Sequence, residues 1–237
     1  DYGDFDELLF SQLLDGRDAF WKLIENENVP MAVRMMQMLS MGHHLQKNIS
    51  EGQLFGLENI YDHYLSEGAA NRMNVYLKEK WEKPGSRYHV MKGMFSCLYK
   101  LEALSADWPG KVRHYEKILF SGGRKKYEAL HQYRMPDKIA EQLLSYFIYV
   151  YFAGAVYDGM PYSKVKLAVI STMLIEDIVC ATAAEKGELT FEEIADAAHS
   201  YAREVEHSDL NLQRLSIMFR HQKCFHIGRL CGALLEW

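Results

Sequence analysis

The sequence predicts an all-α fold: a single multi-helix domain of about 10–13 helices around buried central helices at 136–157 and 161–186. Three observations carry this expectation. Apolar residues recur at three- and four-residue intervals along nearly the whole chain, the spacing that lines one face of a helix, whereas alternating patterns are scarce. Only 5 prolines occur in 237 residues, so few positions force a helix to stop. No Ser-, Pro- or Gly-rich linker and no repeat of fixed period divides the chain, so one domain over 1–237 is expected.

In chain order, helices are expected at 4–14, 17–27, 30–48, 53–65, 70–82, 88–105, 109–120 and 123–133, then at 136–157, 161–186, 190–207, 209–220 and 223–236. Pro30, Pro136 and Pro161 each stand where a helix begins, a position at which the missing amide hydrogen has no intrahelical partner to lose. The best-marked boundary lies near residue 190. Gly187 follows Ala183-Ala184-Glu185-Lys186, where a left-handed C-cap residue is expected, and Thr190-Phe191-Glu192-Glu193 then reads as a capping box. Short connections are expected at Lys83-Pro84-Gly85-Ser86, Ser121-Gly122-Gly123 and Asp158-Gly159-Met160-Pro161. The stretch Gln142–Tyr157 runs 16 residues without a charge. It is shorter than the roughly 20 apolar residues of a bilayer crossing and holds a glutamine, a serine and several tyrosines, so it reads as a buried helix and no membrane partner is expected.

The formal net charge is -5, so no overall positive field exists to attract nucleic acid, and no nucleic-acid partner is expected. The 4 cysteines, Cys97, Cys180, Cys224 and Cys231, contain no C-x-x-C and match no zinc or disulfide framework. They read as reduced, mostly buried thiols of a cytoplasmic protein, with no metal site. The first residues, DYGDFDELLF, lack the pattern of a signal peptide, and the start at Asp1 suggests a piece of a longer chain.

Two constellations could carry chemistry. The pairs Glu128/His131 and Glu204/His207, with Glu102 and Glu176, follow the order of ligands in di-iron helix bundles, although about one such pair arises by chance at these residue frequencies. The second is a polar stripe on helix 190–207: Asp196, His199, Arg203 and then Glu206 or His207 lie three or four residues apart, on one face. Near the helix end, Arg203 and His207 favour an anion or carboxylate.

The stripe runs into Tyr201-Ala202-Arg203-Glu204-Val205-Glu206-His207-Ser208-Asp209-Leu210-Asn211-Leu212, which resembles the R-E-I-E-H-S-D-x-N signature of flagellin lysine N-methylases. Tyr162–Ile178 resembles the family's helix before that signature, and Arg17–Ile49 its Arg- and Leu-rich helix pair. Val205 replaces isoleucine, Leu210 stands where an acidic residue is usual, and Glu141-Gln142 replaces glutamate followed by asparagine. The resemblance implies transfer of methyl groups from S-adenosylmethionine to lysines of bacterial flagellin, and an iron–sulfur cluster in an N-terminal region missing from these residues. A lysine nucleophile must give up its proton to a nearby carboxylate or histidine, so Glu206 and His207 are the expected catalytic residues, with Arg203, Glu204 and Asn211 expected to position substrate or donor. The alternatives are a non-enzymatic helical adaptor that binds flagellin or another filament protein, and a di-iron helix bundle.

Overall fold

The structure, a computed structural model, describes residues 5–81 and 86–237. The expected helix start at residue 4 and the connection at Lys83-Pro84-Gly85 lie outside the described residues. Among the described residues there are helices and short 3-10 turns, and no strand. In order the helices are α1 (Glu7–Ile24), α2 (Met31–Ser50), α3 (Glu58–Leu65), α4 (Ala69–Trp81), α5 (Ser86–Leu98), α6 (Trp108–Phe120), α7 (Gly123–Leu130), α8 (Asp137–Tyr151), α9 (Ala155–Asp158), α10 (Pro161–Lys186), α11 (Phe191–Val205), α12 (Asp209–His221) and α13 (Ile227–Leu234). They group into two compact units: α1–α4 with Asp137–Val169, and α5–α7 with Ile170–Glu236.

In the first unit, Asp6 starts α1 by accepting the amide of Leu9 at 2.8 Å. The expected break between residues 14 and 17 is absent, and α1 continues through Gly16. That glycine serves close approach instead of termination. A Cβ at Gly16 would lie 2.9 Å from the Tyr61 hydroxyl and 3.2 Å from Phe152, and the same hydroxyl donates to the carbonyl of Gln12 at 2.8 Å. Where α1 ends, the buried Arg34 of α2 donates to the carbonyls of Ile24 at 2.7 Å and Val29 at 2.6 Å, and its guanidinium stands 3.5 Å from Glu141 of α8. One side chain thus satisfies a helix end and pins the turn after it.

The expected buried helix at 136–157 is corrected in two respects. It breaks after Tyr151 into a 3-10 turn, Phe152–Gly154, which sends Phe152 inward against Phe20, ring centroids 4.9 Å apart. It is also buried on one side only, because Tyr146, Tyr149, Val150 and Tyr157 are exposed. The runs Asp137–Asp158 and Pro161–Lys186 are both long and apolar enough to cross a membrane by length and composition, but 89% of the most apolar window of the second is buried within the fold, against 39% for the first.

In the second unit α5 packs on α13 and α6, and rings from α5, α6 and α7 meet: Phe120 lies 5.5 Å from both Phe95 and Tyr127. The amide at the start of α5, on Arg87, donates to the carboxylate of Glu236 at 3.2 Å. The helix expected over 88–105 stops at Leu98, and 99–107 form a loop. The boundary near residue 190 follows the expected pattern: Gly187 adopts φ +81°, and the Thr190 amide donates to the Glu193 carboxylate at 2.9 Å.

Replacing Gly16 by alanine forces a methyl into the Tyr61 hydroxyl, so Gly16→Ala lowers stability by about 2 kcal/mol. Combining it with Tyr61→Phe recovers part of that loss. Urea unfolding of the two variants and wild type measures both effects.

Candidate functional site

The segment 201–212 forms the corner between α11 and α12. Ser208 opens α12, its hydroxyl accepting the amide of Asn211 at 3.2 Å. Glu204, 1% exposed, accepts the amides of Leu104 at 2.8 Å and Ser105 at 3.1 Å, and the Ser105 hydroxyl donates to the same carboxylate. Asn211, 0% exposed, accepts the amide of Glu102 at 2.7 Å and donates at 2.8 Å to the carbonyls of Glu102 and Glu204. Both side chains are engaged with backbone, and together they fix the loop 99–107.

The polar stripe lies on another side of α11. Asp196, His199, Ser200 and Arg203 line one wall of a cavity of about 390 Å³. Lys111 and Tyr115 of α6, Thr182 of α10 and Glu193 complete it. Lys111 is paired with Asp107 at 2.9 Å, and Glu193 with Lys186 at 2.6 Å. Burial raises the Tyr115 hydroxyl above its ordinary value. Asp196 and Arg203 stand two turns apart, about 10 Å along the helix, and give the cavity opposite charges at its two ends. Glu206, half-buried, and His207, exposed, follow one turn after Arg203, outside the residues that line the cavity. The structure therefore brings Asp196, His199 and Arg203 together around one space, leaves Glu206 and His207 outside its lining, one turn beyond Arg203, and uses Glu204 and Asn211 to hold the loop 99–107. Lys111, Tyr115 and Thr182 carried no signal in the sequence, because other helices supply them.

A second polar group is buried between α5, α7 and α10. Arg87, 2% exposed, meets the fully buried Asp177 at 3.0 Å and donates to the Tyr127 hydroxyl at 3.1 Å, which in turn donates to Asp177 at 2.8 Å. Burial would raise the Asp177 carboxyl, but Arg87, His131 and Tyr127 together hold it below its ordinary value. Its neighbour Glu176 accepts from Arg134 at 2.9 Å, yet burial dominates and pushes its carboxyl up to about 7. Arg87, Arg124, Tyr127, Glu128, His131 and Glu236 line a cavity of about 340 Å³ beside this group. With Glu204 bound to the loop, Glu176 to Arg134 and Glu128 to Arg124, the di-iron ligand order does not become a ligand cluster. Among the described residues no three His, Cys, Asp or Glu side chains converge as metal ligands.

Comparison with known proteins finds one family. The model of the FliB lysine N-methylase C-terminal domain matches residues 17–233, a span that includes both the corner and the cavity beside it. Neither the curated proteins nor the solved structures give a match.

Two outcomes are expected. Glu204→Ala leaves buried amides without an acceptor and costs about 3 kcal/mol in urea unfolding. Folded Glu176 keeps its proton up to about 7, whereas an ordinary carboxyl loses it near 4.5, so its contribution to stability is present below 4.5 and lost as pH rises through 7. The stability of Glu176→Gln relative to wild type therefore increases between pH 4.5 and 7.5, and a constant difference across that range refutes this assignment.

Proposed function

Because the chain belongs to the FliB lysine N-methylase family through its C-terminal domain, we propose that it is the helical part of a protein-lysine N-methyltransferase, moving methyl groups from S-adenosylmethionine to lysines of flagellin. The match over residues 17–233 carries this reading.

The cavity beside α11 suits the donor's amino-acid end. At about 390 Å³ it falls within the usual range of small-molecule sites. Asp196 and Glu193 suit an ammonium, and Arg203 and Lys111 a carboxylate. When bound, the donor supplies an electrophilic methyl group on a sulfonium. A lysine nitrogen must lose its proton before it attacks such a carbon, so a base is needed next to the cavity. Glu206 and His207 are the proposed acceptors, on the face of α11 that carries Arg203 and one turn beyond it. Glu204 and Asn211 position the site from beneath, because the loop they hold leads into α6 and so sets Lys111 and Tyr115. The cysteines within these residues do not fit an iron–sulfur centre: the described residues gather no cluster of ligands, and burial holds Cys180 and Cys231 as thiols. We assign such a centre to cysteines outside these 237 residues. Free thiols agree with a cytoplasmic location.

One observation favours a binding-only adaptor: Trp21, Tyr146 and Tyr149 line an open groove of about 490 Å³ in the first unit, with Trp21 and Tyr149 stacked at 6.0 Å. Methyl transfer to flagellin by the full-length protein separates the readings. Glu206→Ala and His207→Ala together lower kcat by about a hundredfold, and Arg203→Ala raises the KM for the donor. Unchanged rates in the Glu206 and His207 variants overturn the catalytic assignment. Flagellin binding with no transfer from any donor favours the adaptor.

A further inference from the structure

We propose that Cys97 and Cys224 form a reversible disulfide that locks the two segments flanking the Glu204–Asn211 corner. Cys97 lies on the last turn of α5, just before the loop 99–107, and Cys224 lies in the 3-10 turn Lys223–Phe225 that follows α12. The corner holds the first segment through the loop and begins α12, which leads to the second. Gly93, one turn before Cys97 on the same face of α5, makes the room. A Cβ there would stand 3.1 Å from the Cys224 Cβ and 3.7 Å from its Sγ, so only a residue without a side chain lets Cys224 seat this closely. Cys97 follows Gly93 by one helical turn, so its side chain leaves α5 next to the place where Cys224 packs.

The environments of the four thiols differ. Cys180 and Cys231 are 0% and 1% exposed, and burial raises both thiols, which keeps them inert. Cys97 is 2% exposed, whereas Cys224 is half-buried and reachable from solvent. The hydrogen bond from Cys224 lowers the Cys97 thiol to about 7 against the effect of burial, and Lys100 and Ser96 assist. The same contact, together with burial, raises the Cys224 thiol.

The oxidant is a small disulfide of the glutathione class. Cys97 as thiolate takes the proton of Cys224, and the Cys224 thiolate attacks one sulfur of the small disulfide, which breaks its S–S bond and expels a thiolate that takes a proton from water. Cys97 then gives its proton to solvent and attacks the Cys224 sulfur of the mixed disulfide. The Cys97–Cys224 bond forms, and a second small thiolate leaves and is protonated. Two protein thiols are oxidised, and one small disulfide is reduced to two thiols. A dithiol reverses the sequence.

The test uses the full chain in buffer with oxidised glutathione, followed by acid quenching, alkylation, mass spectrometry and peptide mapping. Wild type is expected to lose two alkylatable thiols, to yield a linked peptide containing Cys97 and Cys224, and to gain about 5 °C in Tm, reversed by dithiothreitol. Cys97→Ser is expected to accumulate glutathione on Cys224. Gly93→Ala, which crowds Cys224 but leaves both thiols in place, is expected to slow linkage about tenfold while keeping its helical circular dichroism. Four alkylatable thiols in oxidised wild type, a link through Cys180 or Cys231, or wild-type linkage rates in Gly93→Ala overturns the proposal.

Discussion

The second unit depends on how a buried carboxylate and a buried amide meet a loop that has no secondary structure of its own. Backbone groups of such a loop cannot be buried unpaired, since each unsatisfied amide or carbonyl costs as much as a lost hydrogen bond. Glu204 and Asn211 answer that demand from one corner of two helices, accepting the amides of Glu102, Leu104 and Ser105 and donating to the carbonyl of Glu102. The loop is then as firmly placed as a helix, and α6 starts where it must to face the polar stripe of α11. Residues that a signature marks for function here act by fixing the ground on which more exposed residues stand.

Electrostatics repeat that theme deeper in the unit. Helix α10 is almost wholly buried along its middle, yet it carries Glu176 and Asp177 side by side, neither exposed to solvent. The two acids are treated differently. Asp177 has a guanidinium and a tyrosine hydroxyl in direct contact, so its charge is kept, whereas Glu176 has one arginine at the edge and is driven toward its neutral form. A buried pair such as Arg87–Asp177 contributes little net stability compared with apolar packing, because desolvation offsets the attraction. It does make α5, α7 and α10 meet in one register, since any other leaves a bare charge inside.

The boundary at Gly187 and Thr190 was legible because its causes are local: a glycine at positive φ and a reciprocal cap three residues apart. The break expected between residues 14 and 17 does not occur, because the reason for Gly16 is distant. The same residue type that ends helices also admits a close neighbour, and the neighbour, Tyr61, lies on another helix. The end of α5 was hidden for the opposite reason. Leu101-Glu102-Ala103-Leu104 is built of good helix formers, and hydrogen bonds from the far corner override that preference. The run at 136–157 was read as buried because its apolar content is high, but tyrosines tolerate water, and only one face of α8 turns inward. At the site, the spacing of Asp196, His199 and Arg203 was visible and the opposite wall was not, because periodicity reports a face and says nothing of what it meets. Arg87 gave no signal at all, its partners being 40 and 90 positions away.

The bond from the Arg87 amide to the Glu236 carboxylate also bears on the order in which the chain can fold. The first turn of α5 waits for Glu236, 149 positions further on, and α5 itself packs on α13, so the second unit has no complete core until synthesis has passed α13. The first unit is interrupted in a similar way, its α1–α4 separated from α8 by the whole of α5–α7. Contacts this distant along the chain slow the search for the native state. A nascent chain of this design spends its time on the ribosome with apolar helix faces uncovered, the period in which chaperones would act on it.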